Sequence, residues 1–242
     1  MSRRLAAVAT ALSALALAAC GDEGAASGAH ARVLAASSLH DVLPQIDPGA
    51  RYSFAGSDAL ATQLREGAQA DVYVAANREL PEQLQRDGVV DPPRVFAINR
   101  LVLIASKRSS IGAVADLRRR AVKLVIGAEG VPIGDYTRAA LGRIGMTAAL
   151  DRVVSEEDDV RGVATKVALG EADAGFVYAT DVAAVADAVR TIELPARAQP
   201  RIEYAIAVVA GSPRRPAAEA FVRAVLGTGG RSALRSSGFE LP

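Results

Sequence analysis

The sequence predicts an α/β fold: parallel sheet with helices on both of its faces. Three observations predict it. Short apolar runs of strand length alternate with segments of helical periodicity along nearly the whole chain. Half of the 242 residues are hydrophobic but only 4% are aromatic, so a large core must be assembled from Ala, Val and Leu. The length accommodates one large domain or two smaller lobes.

Arg32–Ala36 reads as the first strand, and Leu39, Val42, Leu43 and Ile46 follow at helical spacing. Pro44 and Asp47-Pro48-Gly49 cut that first helix short, because a proline removes a hydrogen bond and crowds the preceding turn. Tyr52–Ala55 is a strand, and the helix carrying Leu60 and Leu64 stops near Gly67. Val72–Val74 is a strand, and the helix carrying Leu80 and Leu84 stops near Gly88. Leu101–Ala105, Leu124–Gly127, Val153–Ser155 and Phe176–Tyr178 are further strands. Leu117, Ala140 with Ile144, and Val160, Val163 and Val167 mark the helices between them. Ile202–Val209 is a longer apolar strand, and helices near Ala217–Leu226 and Ser232–Ser237 end the chain. Leu101–Ala105 and Tyr204–Val209 lie roughly a hundred residues apart, so each is expected to cross between lobes as part of a two-strand hinge.

Composition excludes several functions. A formal net charge of +1 with 28 basic and 27 acidic residues lacks the basic excess of a nucleic-acid binder. One cysteine excludes an intrachain disulfide framework and a cysteine-rich zinc site, and two histidines leave little for imidazole-bound metal. No cofactor and no free metal cation is expected. The absence of tryptophan speaks against a sugar-stacking site.

Arg3-Arg4 followed by the apolar run Leu5–Ala19 has the form of an export signal, too short to span a bilayer comfortably. Leu17-Ala18-Ala19-Cys20 resembles the lipobox of bacterial lipoproteins, in which the cysteine is lipidated and becomes the mature N-terminus. Residues 1–19 are therefore expected to be a signal peptide, Cys20 a lipidation site, and residues 20–31 a flexible tether. The protein is expected outside the cytoplasm, lipid-anchored at a membrane surface.

Ligands of such sheets bind beyond the carboxyl ends of the strands, at strand-to-helix turns. Five turns stand out: Ala35–Leu39, Phe54–Asp58, Gly130–Tyr136, Glu157–Gly162 and Val177–Asp181. Each offers free backbone N–H groups at a helix start, which attract anions. Ser38 and Ser57 add hydroxyls, and Tyr178 adds a phenol. Taken singly, Ser38 and Ser57 read as helix N-caps, and the acidic run Glu156–Asp159 as a solvated helix start. His40 lies near Ser38, but the Gly-x-Ser-x-Gly elbow of a serine hydrolase is absent.

Together these turns match a family. Ala35-Ala36-Ser37-Ser38-Leu39, Ser53–Ser57, Gly67–Val72, Asn99–Leu103, Val131–Tyr136, Glu157–Arg161, Gly170–Tyr178, Tyr204–Val209 and Gly238-Phe239 occur in the order and spacing of the solute-binding component of bacterial molybdate ABC transporters. The chain resembles that family from about Val33 to Phe239. The resemblance implies a two-lobed periplasmic-binding-protein fold of type II, with residues 32–102 and 207–242 in lobe 1 and 103–206 in lobe 2. It implies a monomer that is not an enzyme, holds molybdate or tungstate between its lobes, and delivers it to a membrane permease. Carried over residue by residue, the contacts to the oxyanion are Ser38 and Ser57, the main chain at Ile133 and Val160, and the hydroxyl of Tyr178. None is Lys or Arg. Oriented neutral donors and helix dipoles would hold a dianion without a formal counter-charge. The alternatives are a receptor for sulfate, thiosulfate or phosphate and, from another class, a secreted hydrolase using Ser38 or Ser57 with His40.

Overall fold

In the computed structural model, residues 30–119 and 121–242 are described. The expected signal peptide, Cys20 and nearly all of the tether lie outside them. Among the described residues no helix is long and apolar enough to cross a membrane.

Along the chain, β1 (Arg32–Ala36), α1 (Leu43–Ile46), β2 (Arg51–Ala55), α2 (Ser57–Arg65), β3 (Val72–Ala75), α3 (Glu79–Arg86) and β4 (Arg94–Asn99) come first. Next are β5 (Leu101–Ser106), β6 (Leu124–Gly127), α4 (Pro132–Arg143), β7 (Val153–Glu157), α5 (Val160–Leu169), β8 (Ala174–Tyr178) and β9 (Val189–Glu193). Finally come β10 (Ile202–Val208), α6 (Arg215–Leu226) and α7 (Thr228–Ser236). Short 3-10 helices fill several turns, including Ser37–Leu39 and Ala179–Val185.

The strands form two five-stranded sheets, ordered β2-β1-β3-β10-β4 and β7-β6-β8-β5-β9. The two have the same pairing pattern. The first three strands of each are parallel, as the alternation of strands and helices predicts. The other pairings are antiparallel, because β10 and β5 each enter their sheet on arriving from the other lobe. The chain crosses at Arg100, between β4 and β5, and returns between Ala198 and Ile202. The expected boundaries after residues 102 and 206 therefore fall inside β5 and β10. Each of those strands lies wholly in one sheet, and neither crosses between lobes.

Strand alternation sets the core. In β1, Val33 and Ala35 face one side and Leu34 the other; in β3, Val72 and Val74 oppose Tyr73 and Ala75. Leu34 and Tyr73 pack with Leu60 and Leu64 of α2 and Leu84 of α3. Val33 and Val72 share the larger core, where Leu39, Leu43 and Phe221 of α6 are fully buried. As expected, α1 is cut short, to four residues, and Pro44 stands in its first turn, where no helical N–H is lost.

Candidate functional site

The turns that follow β1, β2, β3, β6, β7 and β8 converge on one cavity between the lobes. It is lined from lobe 1 by Ala36, Ser37, Ser38, Ala55, Gly56, Ser57 and Ala76, and from lobe 2 by Val131, Pro132, Ile133, Asp159, Val160 and Tyr178. All five residues expected to contact the ligand line it. The volume open to the centre of a water-sized sphere is about 10 Å³, room for about one such centre. A sugar or peptide does not fit a space of that size. A wider cleft of about 600 Å³ opens beside it, lined by Asp58, Glu79, Asp135 and Tyr136 among others. Three carboxylates face one cation there, Arg65, so the balance of charge disfavours an anion and favours the smaller cavity.

Neither serine caps its own helix. The cap positions are Ala36 and Gly56, with no side-chain cap bond at either, so the plain N-cap reading of Ser38 and Ser57 does not hold. Each hydroxyl is instead engaged from lobe 1. The Ala76 N–H donates to Ser57 Oγ at 3.0 Å, leaving the serine proton free to point elsewhere. The Tyr73 hydroxyl donates to the Ser57 carbonyl at 2.7 Å and fixes the turn. Ser38 Oγ lies 2.9 Å from the Tyr204 hydroxyl.

In lobe 2, Ile133 and Val160 sit in the first turns of α4 and α5, where backbone N–H groups have no acceptor within the helix. Close packing brings α4 in. Gly134 lies so near β6 that a Cβ there would run into the carbonyl oxygens of Gly127 and Ala128. Ile133 Cγ2 lies over Gly127, so this side chain packs against β6 of lobe 2. Asp159 caps α5 by accepting the Gly162 N–H at 3.0 Å. Of the rest of the acidic run, Glu157 pairs with Lys166 at 2.8 Å, Glu156 pairs with Arg138, and Asp158 is exposed. Among the described residues no group of three His, Cys, Asp or Glu is placed to hold a metal ion.

Tyr178 is fully buried, and its hydroxyl has no hydrogen-bond partner among the described residues. Burial pushes its phenol well above the ordinary range, keeping it a protonated donor. A buried polar group without a partner is costly, so this hydroxyl is a donor available to a ligand in the cavity. Asp58 also has a buried oxygen without a partner, and burial raises its carboxyl.

The hydrolase arrangement is not assembled. His40 Nδ1 lies 2.9 Å from Asp41 Oδ1 and its ring packs on Phe54, while Ser38 is engaged by Tyr204. Sequence reasoning gave no role at the site to Tyr204, Asn99 or Gly56. Tyr204 reads as one residue of an apolar strand, and its hydroxyl contacts come from distant parts of the chain.

Comparison with known proteins points the same way. The pattern of the bacterial extracellular solute-binding protein family matches residues 49–240. The molybdate-binding protein of Mycobacterium tuberculosis is 36% identical over 222 residues, covering 87% of this chain and 84% of that protein. The periplasmic molybdate-binding protein of Azotobacter vinelandii has the same fold, with a TM-score of 0.78 at 22% identity over 88% of this chain and 100% of that one. The sulfate-binding protein of M. tuberculosis shares it too, with a TM-score of 0.71 at 16% identity over 88% of this chain and 86% of that one.

Proposed function

We propose a function from one premise: the chain belongs to the bacterial extracellular solute-binding proteins, among the molybdate-binding proteins of ABC transporters. In this reading it is a non-enzymatic, monomeric receptor. It takes molybdate or tungstate between its lobes and hands it to a membrane permease. Ser38, Ser57 and Tyr178 donate through hydroxyls, and Ile133 and Val160 through the main chain.

The observation that carries the reading is the Tyr178 hydroxyl, buried and without a hydrogen-bond partner among the described residues, at the cavity between the lobes. The donor set supports it. Preorganised neutral donors in a dry site stabilise a full negative charge without reorganising. Both serine oxygens are occupied as acceptors or poised to be, which suits a fully ionised oxyanion that brings no proton of its own. Cys20, lipidated after removal of residues 1–19, would hold the receptor at the membrane, since two or more acyl chains give stable anchoring.

Calorimetric titration of the mature protein with molybdate, tungstate, sulfate and phosphate tests the ligand. Molybdate and tungstate should bind within about tenfold of each other. Sulfate, being smaller, leaves desolvated donors unpaired at about 1–3 kcal/mol each and should bind orders of magnitude more weakly. Sulfate binding as tightly as molybdate would make this a sulfate receptor. For the anchor, Cys20→Ser should move the protein from the detergent phase to the aqueous phase; equal partitioning of variant and parent would refute lipidation.

A further inference from the structure

We infer that Tyr204 and Asn99 are positioning residues for the anion site: together they hold Ser38 Oγ as an acceptor, so that its own proton is free for the ligand. The inference rests on the receptor reading above. All three side chains are buried.

Asn99 ends β4, at the point where the chain leaves lobe 1. The Arg100 N–H donates to Asn99 Oδ1 at 2.9 Å, which fixes the orientation of the amide. Its amino group must then face the interior. One contact runs 2.9 Å to Thr180 Oγ1 of lobe 2, two residues beyond Tyr178, and the other 3.4 Å to the Tyr204 hydroxyl oxygen. An amide nitrogen can only donate, so Tyr204 accepts there and must send its single proton elsewhere. Its other hydrogen-bond neighbour among the described residues is Ser38 Oγ, at 2.9 Å. Burial holds the Tyr204 phenol in its protonated form.

The direction of the whole chain follows. Asn99 donates to Tyr204, Tyr204 donates to Ser38, and Ser38 donates to whatever fills the cavity. With the amide reversed, Tyr204 would donate to Asn99 and accept from Ser38, drawing the serine proton away from the ligand. Ser57 needs no such relay, because the Ala76 N–H already occupies its acceptor position.

A double-mutant cycle tests this. Tyr204→Phe keeps the ring and its edge contacts with Phe96, Tyr178 and Phe239, so the fold should persist. It should weaken molybdate binding by about threefold to tenfold in the parent. In a Ser38→Ala background the same change should have an effect within about twofold of none, whereas in a Ser57→Ala background its full effect should remain. Asn99→Ala is the second variant and should show the same dependence on Ser38. Equal losses in the Ser38→Ala and Ser57→Ala backgrounds would make Tyr204 a packing residue and overturn the relay alone. A parent that fails to bind molybdate, seen before any substitution is made, would overturn the receptor reading and the relay with it.

Discussion

Gly56 of lobe 1 and Asp158 of lobe 2 meet with no room for a side chain between them: a Cβ on Gly56 would run into the Asp158 carbonyl oxygen. Gly56 stands at the cap of α2 with φ −57°, a conformation any residue adopts; within its own turn the Cβ would press only on the Asp58 carboxylate, a side chain that can shift, so the rigid obstacle is the backbone of the other lobe. Gly56→Ala should therefore fold normally and bind molybdate at least about tenfold more weakly, a loss of about 1.4 kcal/mol or more. Small-angle scattering checks the cause. The parent should contract on binding molybdate and the variant should contract less.

The two serines should separate affinity from stability. Each hydroxyl offered to an anion contributes about 1.5–3 kcal/mol, so Ser38→Ala and Ser57→Ala should each weaken binding about tenfold or more. Ser57→Ala also strips the buried Ala76 N–H of its acceptor, which costs about 1–3 kcal/mol of stability. Urea denaturation alongside calorimetry reads both quantities.

Tyr178→Phe should move affinity and stability in opposite directions. It deletes a buried hydroxyl that has no partner among the described residues, so the anion-free protein should be unchanged or more stable by up to about 1–3 kcal/mol. Molybdate affinity should fall about tenfold. A variant that loses stability while keeping its affinity would show that the hydroxyl serves the fold.

Asp181 should give lobe 2 a pH signature. It is buried in the 3-10 helix after β8, and burial, partly offset by Arg161 and reinforced by Asp41 and Asp159, raises its carboxyl from 3.8 to about 7. The folded chain thus keeps a proton that the unfolded chain releases in that window. Stability should fall as pH rises between about 4 and about 7, by up to about 1.4 kcal/mol per unit. Asp181→Asn should remove the Asp181 share of this slope, so its advantage over the parent in urea should be larger at pH 8 than at pH 5.

The repeating order of elements is legible because β1, β3, β5, β6 and β8 are apolar runs bounded by turns. Two strands are not legible. In β9, Arg190 and Thr191 face solvent, so no apolar run marks it. β4 runs into β5 with only Arg100 between them and follows Asp91-Pro92-Pro93, so its start reads as loop. Sheet membership is a property of pairing, not of strand length, and that is why β5 and β10 suggest a crossing that each of them avoids. At the site, Ser38, Ser57, Ile133, Val160 and Tyr178 are legible as strand-to-helix turns in a family's spacing. Tyr204 and Asn99 are not, since their bonds join residues 166 and 105 positions apart.

β10 lies between β3 and β4, which share no hydrogen bonds of their own. Lobe 1 therefore has a gap in its sheet until Val208 has been made, after all of lobe 2. Lobe 2 draws all five of its strands from one uninterrupted stretch, Leu101 to Glu193. During synthesis it can assemble first, while the older N-terminal half waits with two exposed strand edges for β10 to arrive. A chain truncated before Ile202 should thus retain a folded second lobe and a first lobe prone to pairing with strangers.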